Sequence, residues 1–243
     1  MRFINFDSVV STNLEALKFA EEGDKGPLWV SAVQQTGGRG RRGRPWVSKS
    51  GNLYCSGLYP HAGNAQSAAL YSFVAVLAIA DLVRTYLPES HVTLKWPNDV
   101  LIDGKKTSGV LLEHSKGWIV AGIGVNLVSH PGNAEFPATH ILEHIPEEAL
   151  NKPEPLIPEP QAALAILAAR FDVWRSILIN DGFAPIKSAW EGLAQNVPGP
   201  LIVRLHNETF SGEATALGEN GELQVRLKNG TIRNVHSGDV FFN

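Results

Sequence analysis

An α+β fold, a mixed sheet packed with helices and followed by a small all-β module, is the architecture that this sequence predicts. Three observations predict it. Strand-period and helix-period segments interleave through the first 195 residues. Residues 92–127 read as a β-meander, with Asp103-Gly104 between apolar runs as its strongest hairpin signal. After Val197-Pro198-Gly199-Pro200 the texture changes to short alternating strands punctuated by Asn207-Glu208, Asn220-Gly221 and Asn229-Gly230, a module of about five strands. The boundary falls near 196, giving one domain of residues 1–195 and a second of residues 196–243.

Taken in order, Ser11-Thr12-Asn13 precedes Leu14, Leu17 and Ala20 at helical spacing, with Glu15 in the first turn and Gly23 past the end, which predicts a capped helix. Residues 28–35 and 52–59 read as strands on either side of an Arg/Gly-rich loop, so a rigid sheet holds the ends of that loop. Residues 65–87 form a long helix, apolar around most of its circumference and ended by Pro88. The meander runs through residues 92–96, 99–102, 106–114 and 118–127, with a second turn at Lys116-Gly117. Residues 128–160, crowded with Pro, His and Glu, are an irregular connection carrying a short helix at 147–150. Helices follow at 162–179, with a stripe through Ile166, Ala169, Trp174 and Leu178, and at 183–193.

With 243 residues, 44% of them hydrophobic and 19% charged, the chain is predicted to be a soluble globular protein with a substantial core. The start, Met1-Arg2-Phe3-Ile4-Asn5-Phe6-Asp7, lacks the apolar region of a signal peptide. The single cysteine, Cys55, forms neither an intramolecular disulfide nor a cysteine-rich metal site. A cytoplasmic location follows as the expectation. The most apolar stretch, residues 68–80, is too short at 13 residues to span a bilayer and reads as a core helix.

The chemistry concentrates in three clusters. Gln35-Thr36-Gly37-Gly38-Arg39-Gly40-Arg41-Arg42-Gly43-Arg44-Pro45-Trp46 puts four arginines and four glycines into one loop of a chain whose formal net charge is −3. Glycines let backbone N–H groups approach a ligand, and arginines offer planar forks of donors to phosphate or carboxylate. The loop is built to wrap an anion. A nucleic-acid patch is the other reading of five cations and no acid between Arg39 and Lys49. The second cluster is Lys95-Trp96-Pro97-Asn98-Asp99 with Lys105-Lys106-Thr107-Ser108-Gly109 and the apolar run to Glu113. Ser108 and Gly109 leave room against their strand, Asp99 suits a cation or an attacking amine, and Trp96 and Pro97 fix the bend before it. The third, Gly122-Ile123-Gly124-Val125-Asn126-Leu127, resembles a nucleotide-binding GxG motif, but no helix follows it. Its glycines mark close approach of a ligand or another backbone.

In this order, Ser11-Thr12-Asn13, the Arg/Gly loop, the Lys95 and Lys106 segments and residues 122–127 resemble the catalytic domain of biotin–protein ligase, also called biotin–[acetyl-CoA-carboxylase] ligase. The resemblance covers roughly residues 8–128. Gly221-Glu222-Leu223 and Ser237-Gly238-Asp239 are similar to the family's C-terminal SH3-like domain. The resemblance implies a class II aminoacyl-tRNA synthetase-like catalytic domain followed by an SH3-like β-barrel. It also implies a form without the N-terminal helix-turn-helix that makes some members repressors, because the catalytic pattern begins within the first dozen residues.

The implied reaction has two steps. Biotin and ATP with Mg²⁺ give biotinyl-5′-AMP and pyrophosphate, and a lysine of a biotin carboxyl carrier protein or domain then attacks the mixed anhydride. The positive loop and Mg²⁺ offset the repulsion between carboxylate and triphosphate. By resemblance Ser11, Thr12, Asn13, Gln35 and Gly109 belong to the biotin side. Arg39, Gly40 and Arg41 belong to the loop that closes over the adenylate. Lys106 meets the biotin carboxylate and then the α-phosphate, with Arg41 and Asp99 beside it in catalysis. Arg39, Arg44, Trp46 and Asn126 belong to the nucleotide side. Metal ligands and oligomeric state, monomer or homodimer, stay open, and no DNA or membrane partner is expected. A lipoate– or octanoate–protein ligase or transferase of the same fold is the enzymatic alternative, and a nucleic-acid-binding protein the non-enzymatic one.

Residues 36–50 combine Gly, Arg and Ser with few apolar anchors, so ordering the loop is opposed by roughly 1–2 kcal/mol per residue until a ligand supplies contacts. Tryptic cleavage after Arg39, Arg41 and Arg42 should slow markedly with saturating biotin, ATP and Mg²⁺, while Arg44, followed by Pro45, should resist throughout. An unchanged rate would mean that the loop does not close on ligand.

Overall fold

The computed structural model describes residues 1–115, 117–132 and 136–242. The first residue of the expected turn at Lys116-Gly117 lies outside them. Strands β1 (Arg2–Val9), β2 (Leu28–Gln35), β3 (Leu53–Pro60), β4 (Val92–Lys95), β5 (Asp99–Ile102), β6 (Lys105–Ser115) and β7 (Trp118–Val125) form one seven-stranded sheet. Its order is β1-β2-β3-β7-β6-β5-β4. Only β1 and β2 pair in parallel, with helix α1 (Thr12–Glu21) as their crossover. The sheet is therefore mixed, as the sequence predicts. β1 itself is not anticipated by the sequence pattern: Arg2, Asn5 and Asp7 interrupt its apolar residues, and as an edge strand it is mostly exposed.

Period-two burial gives the sheet two different faces. Ile119, Ala121, Ile123 and Val125 of β7 join the main core beneath helix α3 (Tyr71–Tyr86), while Val120 joins Leu28, Val30, Leu58 and Ala16 beneath α1. Since α1 covers only its own end of that second face, the β5–β6–β7 end stays open for a ligand. Ser11 is the N-cap residue of α1, but its side chain makes no capping bond. The predicted helix at 65–87 is α2 (Ala65–Ala69) followed by α3, joined at Leu70. Over the 22 residues Ala65–Tyr86 this stretch is long and apolar enough to cross a membrane, and 67% of its most apolar window is buried inside the protein. Burial rather than shortness marks it as a core element.

After β7 the chain turns back across the sheet. Asn52 Oδ1 accepts from the N–H groups of Leu127, Val128 and Ser129, at 2.9, 3.0 and 3.2 Å. The backbone of residues 137–139 then pairs with β6, Lys106 N–H donating to Pro137 O and Thr139 N–H to Lys106 O, at 2.8 and 2.9 Å. A 3₁₀ turn (Ile141–His144) and helix α4 (Glu147–Leu150) lead to helices α5 (Pro160–Asp181) and α6 (Phe183–Glu191). In α5 the buried stripe is Ala163, Leu164, Leu167, Ala168 and Phe171, and Ala169 of the expected stripe is exposed. Residues 162–169 are apolar all round, so the pattern does not fix the phase of this helix.

Strands β8 (Gly199–Arg204), β9 (Thr209–Leu217), β10 (Leu223–Arg226), β11 (Ile232–Val235) and β12 (Asp239–Phe241) form a five-stranded antiparallel sheet, ordered β11-β10-β9-β8-β12. Its apolar residues, among them Leu201, Val203, Leu223 and Val240, are continuous with the main core. Trp96 Nε1 donates to Gly221 O at 3.0 Å, and Leu217 N–H to Glu191 Oε1 at 2.8 Å. Gly221 (φ +80°) lies against the Phe73 ring, where a Cβ would come within 2.4 Å.

Trp29, Tyr59 and Phe171 lock the sheet to α5. Phe171 stacks on Tyr59 at 5.0 Å and meets Trp29 edge-on at 5.4 Å. Tyr59 Oη accepts from Trp29 Nε1 at 3.0 Å and donates to Asp172 Oδ1 at 2.8 Å. Phe171→Ala should cost about 3–5 kcal/mol, read from urea unfolding, because it empties the centre of this cluster. A loss below about 1 kcal/mol would show that the cluster does not anchor the helix.

Candidate active site

Three glycines strip the open face of the sheet. Gly109 of β6 faces Gly124 of β7 in register, and Gly122 faces Leu111. A Cβ at position 124 would meet the Trp46 indole at 2.4 Å, and one at 122 would meet Asn13 Oδ1 at 2.2 Å. At position 109 it would meet the Trp46 ring at 3.2 Å and Lys106 Cε and Nζ at 3.3 Å. Side chains from α1 and from the Arg/Gly loop therefore lie directly on backbone. Between them is a cavity of about 440 Å³.

One end of the cavity is lined by uncharged side chains that are finely hydrogen-bonded. Gln35 Oε1 accepts from Thr12 N–H (2.9 Å) and Thr12 Oγ1 (3.2 Å), and Gln35 Nε2 donates to Ser48 Oγ (3.3 Å). Ser56 Oγ lies 2.7 Å from Thr12 Oγ1 and 2.6 Å from Asn13 Oδ1. Asn13 Nδ2 donates to Glu113 Oε2 at 2.6 Å and to Leu111 O at 3.3 Å. With both ends of the amide held, Asn13 cannot swing away, and the polar edge of this pocket is fixed before any ligand arrives.

The other end is charged. Lys106 Nζ donates to Asp99 Oδ1 at 2.6 Å, and both side chains are three-quarters buried or more. Arg39, Gly40, Arg41 and Arg44 line the wall above them. The loop is a small closed structure in which Arg39 pairs with Pro45 and Gly40 N–H donates to Arg44 O at 2.7 Å. At its tip Arg42 (φ 57°) and Gly43 (φ 73°) both take the left-handed conformation. For Arg42 that conformation is strained. Asp239 of β12 answers it, receiving Arg42 at 3.0 Å on Oδ2 and Arg44 at 2.9 Å on Oδ1. Arg41 Nη1 donates to Gly238 O at 3.3 Å. Burial pushes the Arg41 guanidinium below its ordinary pKa, while Asp239 and Asp99 oppose the shift. Trp46 Nε1 is buried against Gly124, without a hydrogen-bond partner among the described residues.

Thr12, Asn13, Gln35, Arg39, Gly40, Arg41, Arg44, Trp46, Asp99, Lys106, Gly109 and Asn126 all line this cavity. Ser11 does not: it is buried at the start of α1, where its carbonyl accepts from Glu15 N–H at 3.1 Å. Asn126 spends its Nδ2 on Thr139 O at 3.0 Å, which holds the returning chain against the site. The glycines of β7 admit neighbouring side chains rather than another backbone. Trp96 is buried and tied to Gly221, and both it and Pro97, expected only to fix the bend, also line the cavity. Sequence reasoning missed Ser56, Glu113 and Asp239 as parts of the constellation. Asp239 carried a signal, an acid in a Ser-Gly-Asp turn, but its partners are nearly two hundred residues away.

The fold and the cavity define an α+β protein built for a ligand with an uncharged body and an anionic head. The chain belongs to the biotin/lipoate A/B protein ligase family, whose profile matches residues 5–128; the biotin protein ligase C-terminal domain matches residues 201–243. It is 37% identical over 240 residues to the biotin–[acetyl-CoA-carboxylase] ligase of Paracoccus denitrificans, covering 96% of this chain and 97% of that one. With the bifunctional ligase/repressor BirA of Bacillus subtilis it shares 28% identity, over 98% of this chain and 73% of that one. Among solved structures, the Aquifex aeolicus biotin protein ligase in complex with biotin and ATP superposes with a TM-score of 0.81 at 26% identity, covering 99% and 97% of the two chains.

Asp239 is the one acid that holds two arginines of the loop among the described residues. Asp239→Ala should speed tryptic cleavage after Arg41 and Arg42 several-fold in the absence of ligand, with a stability cost within about 1 kcal/mol because the pairs are partly exposed. Cleavage at the wild-type rate would mean that the β12 contacts do not hold the loop.

Proposed function

We propose that this chain is an ATP-dependent biotin–protein ligase that forms biotinyl-5′-AMP and passes the biotinyl group to a lysine of a biotin carboxyl carrier protein or domain. The observation that carries the reading is the meeting of Lys106 and the arginine loop at one end of a cavity whose other end is uncharged. A carboxylate and a triphosphate repel, and fixed cations in a partly desolvated site are what a reaction between them requires. The loop also favours biotin over lipoate or octanoate within the same fold.

The uncharged end, walled by Thr12, Asn13, Gln35 and Gly109, takes the body of biotin, so its carboxylate points toward Lys106. Lys106 Nζ then leaves Asp99 for the carboxylate and the α-phosphate. A carboxylate oxygen attacks the α-phosphorus, the bond to the bridging oxygen breaks, and pyrophosphate departs past Arg39 and Arg41. These arginines and Lys106 stabilise the charge that develops on the phosphoryl oxygens. Trp46, Arg44 and Asn126 serve the nucleotide side.

Mg²⁺ accompanies ATP. The carboxylate of Asp99 on the cavity wall fits such a hard cation and would face it, where the cation would neutralise phosphate charge. In the second step the carrier lysine's amine attacks the acyl carbon, the anhydride bond breaks, and AMP leaves with the former carboxylate oxygen. Asp99, vacated by Lys106, is the carboxylate placed to take the amine's proton.

The reading includes a cytoplasmic protein, monomer or homodimer, with no DNA or membrane partner. The net charge of −3 and the buried free thiol of Cys55 support it. The catalytic unit is residues 1–195, with residues 196–243 as the module that supplies Asp239.

Biotin-dependent exchange of labelled pyrophosphate into ATP tests the reading. Wild type should exchange only with biotin present, and Lys106→Ala should lower the rate about 10²–10³-fold, the usual cost of one oxyanion-stabilising donor. Exchange within threefold of wild type in the variant would remove Lys106 from the chemistry.

A further inference from the structure

Outside the cavity, the chain that returns from β7 brings two histidines and a glutamate together. His130 Nδ1 lies 2.9 Å from His140 Nδ1. Glu143 Oε2 lies 3.5 Å from His140 Nδ1 and 3.8 Å from His130 Nδ1. All three candidate ligand atoms fall within 4.8 Å of one another. Two ligands bonded to zinc at 2.0–2.1 Å in a tetrahedron sit about 3.3 Å apart, and the three separations bracket that edge. No other cluster of this kind is present among the described residues.

The carboxylate is also aimed. Thr139, fully buried, donates through Oγ1 to Glu143 Oε2 at 2.9 Å and lies 2.7 Å from His144 Nε2. His144 Nδ1 in turn faces Asp103 Oδ2 at 3.5 Å. Asp103, His144 and Thr139 thus form a relay behind Glu143 of the kind that orients metal ligands.

We propose that His130, His140 and Glu143 form a binding site for a borderline divalent cation, Zn²⁺ foremost, with water completing the coordination. Two imidazoles and one carboxylate with an open position match zinc better than Mg²⁺ or Ca²⁺, which take oxygen donors. None of the three residues lines the cavity. The site's place in the fold gives it a structural role, since the ion ties residue 130 to the 3₁₀ turn at Ile141–His144, across the segment 137–139 whose backbone pairs with Lys106. Occupancy therefore clamps the strand that presents the lysine.

The test uses the whole chain, stripped with EDTA and titrated by calorimetry with Zn²⁺, and with Co²⁺ as a visible-absorption probe. One equivalent of zinc should bind, raise the melting temperature and give Co²⁺ absorption of four- or five-coordinate intensity. Mg²⁺ should give none of these. His130→Ala and His140→Ala should abolish the stoichiometric binding, and Thr139→Val should weaken it about tenfold or more. His61→Ala, at the separate His61–His114 pair, should leave it unchanged. His130 is partly exposed on a loop, so its variant keeps the fold, which far-UV circular dichroism verifies. Absence of zinc binding in wild type would leave the two imidazoles as a hydrogen-bonded pair and overturn the proposal; undiminished binding in folded His130→Ala would overturn it equally.

Discussion

Everything at the site depends on three glycines that share one face of the sheet. Gly109, Gly122 and Gly124 lie together where β6 and β7 pair, and each is closely covered by a side chain from elsewhere: Asn13 on Gly122, Trp46 on Gly124 and Gly109. A Cβ at 122 or 124 would crowd those groups far inside ordinary contact distance, a cost that packing does not absorb. Seated directly on backbone, Asn13 and Trp46 line the cavity at the depth the glycines allow. On the opposite face the same strands carry Ile119, Ala121, Ile123 and Val125 against α3, so the sheet cannot recede.

Charge is distributed around the cavity by few elements. Lys106 and Asp99 face each other from adjacent strands, an ion pair that keeps both groups satisfied in a partly desolvated place. The loop brings the remaining cations from the far side, and its left-handed tip at Arg42 is held by Asp239 from the second sheet. That contact makes the C-terminal module a structural part of the cavity wall. It also explains how a chain of negative net charge sustains a local concentration of arginines: an acid from a distant segment offsets them.

Much of this is legible in the sequence. Asp-Gly and Asn-Gly turns locate the meander and the second sheet, and β2, β5 and α4 begin and end where residues 28–35, 99–102 and 147–150 predict. The residues crowded with Arg, Lys and Gly do converge on one cavity. Three features escape. β1 is an exposed edge whose polar residues mask its period, the buried side of α5 is hidden by apolar residues on every side, and Ser11 caps its helix by position alone. The parts that Ser56, Glu113 and Asp239 play escape for a different reason. Each acts through a partner far along the chain, a relation that spacing does not encode.

The proposed mechanism requires one cavity to hold a carboxylate and an α-phosphate together under Lys106. A crystal structure of this chain with a stable analogue of biotinyl-5′-AMP would show whether it does. The acyl-phosphate linkage should lie within hydrogen-bonding distance of Lys106 Nζ, with the Lys106–Asp99 pair opened, the uncharged body against Asn13 and Gln35, and the Arg39–Arg44 segment closed over the phosphate. A ligand bound with Lys106 still on Asp99 and its phosphate remote from both the lysine and the loop would contradict this mechanism.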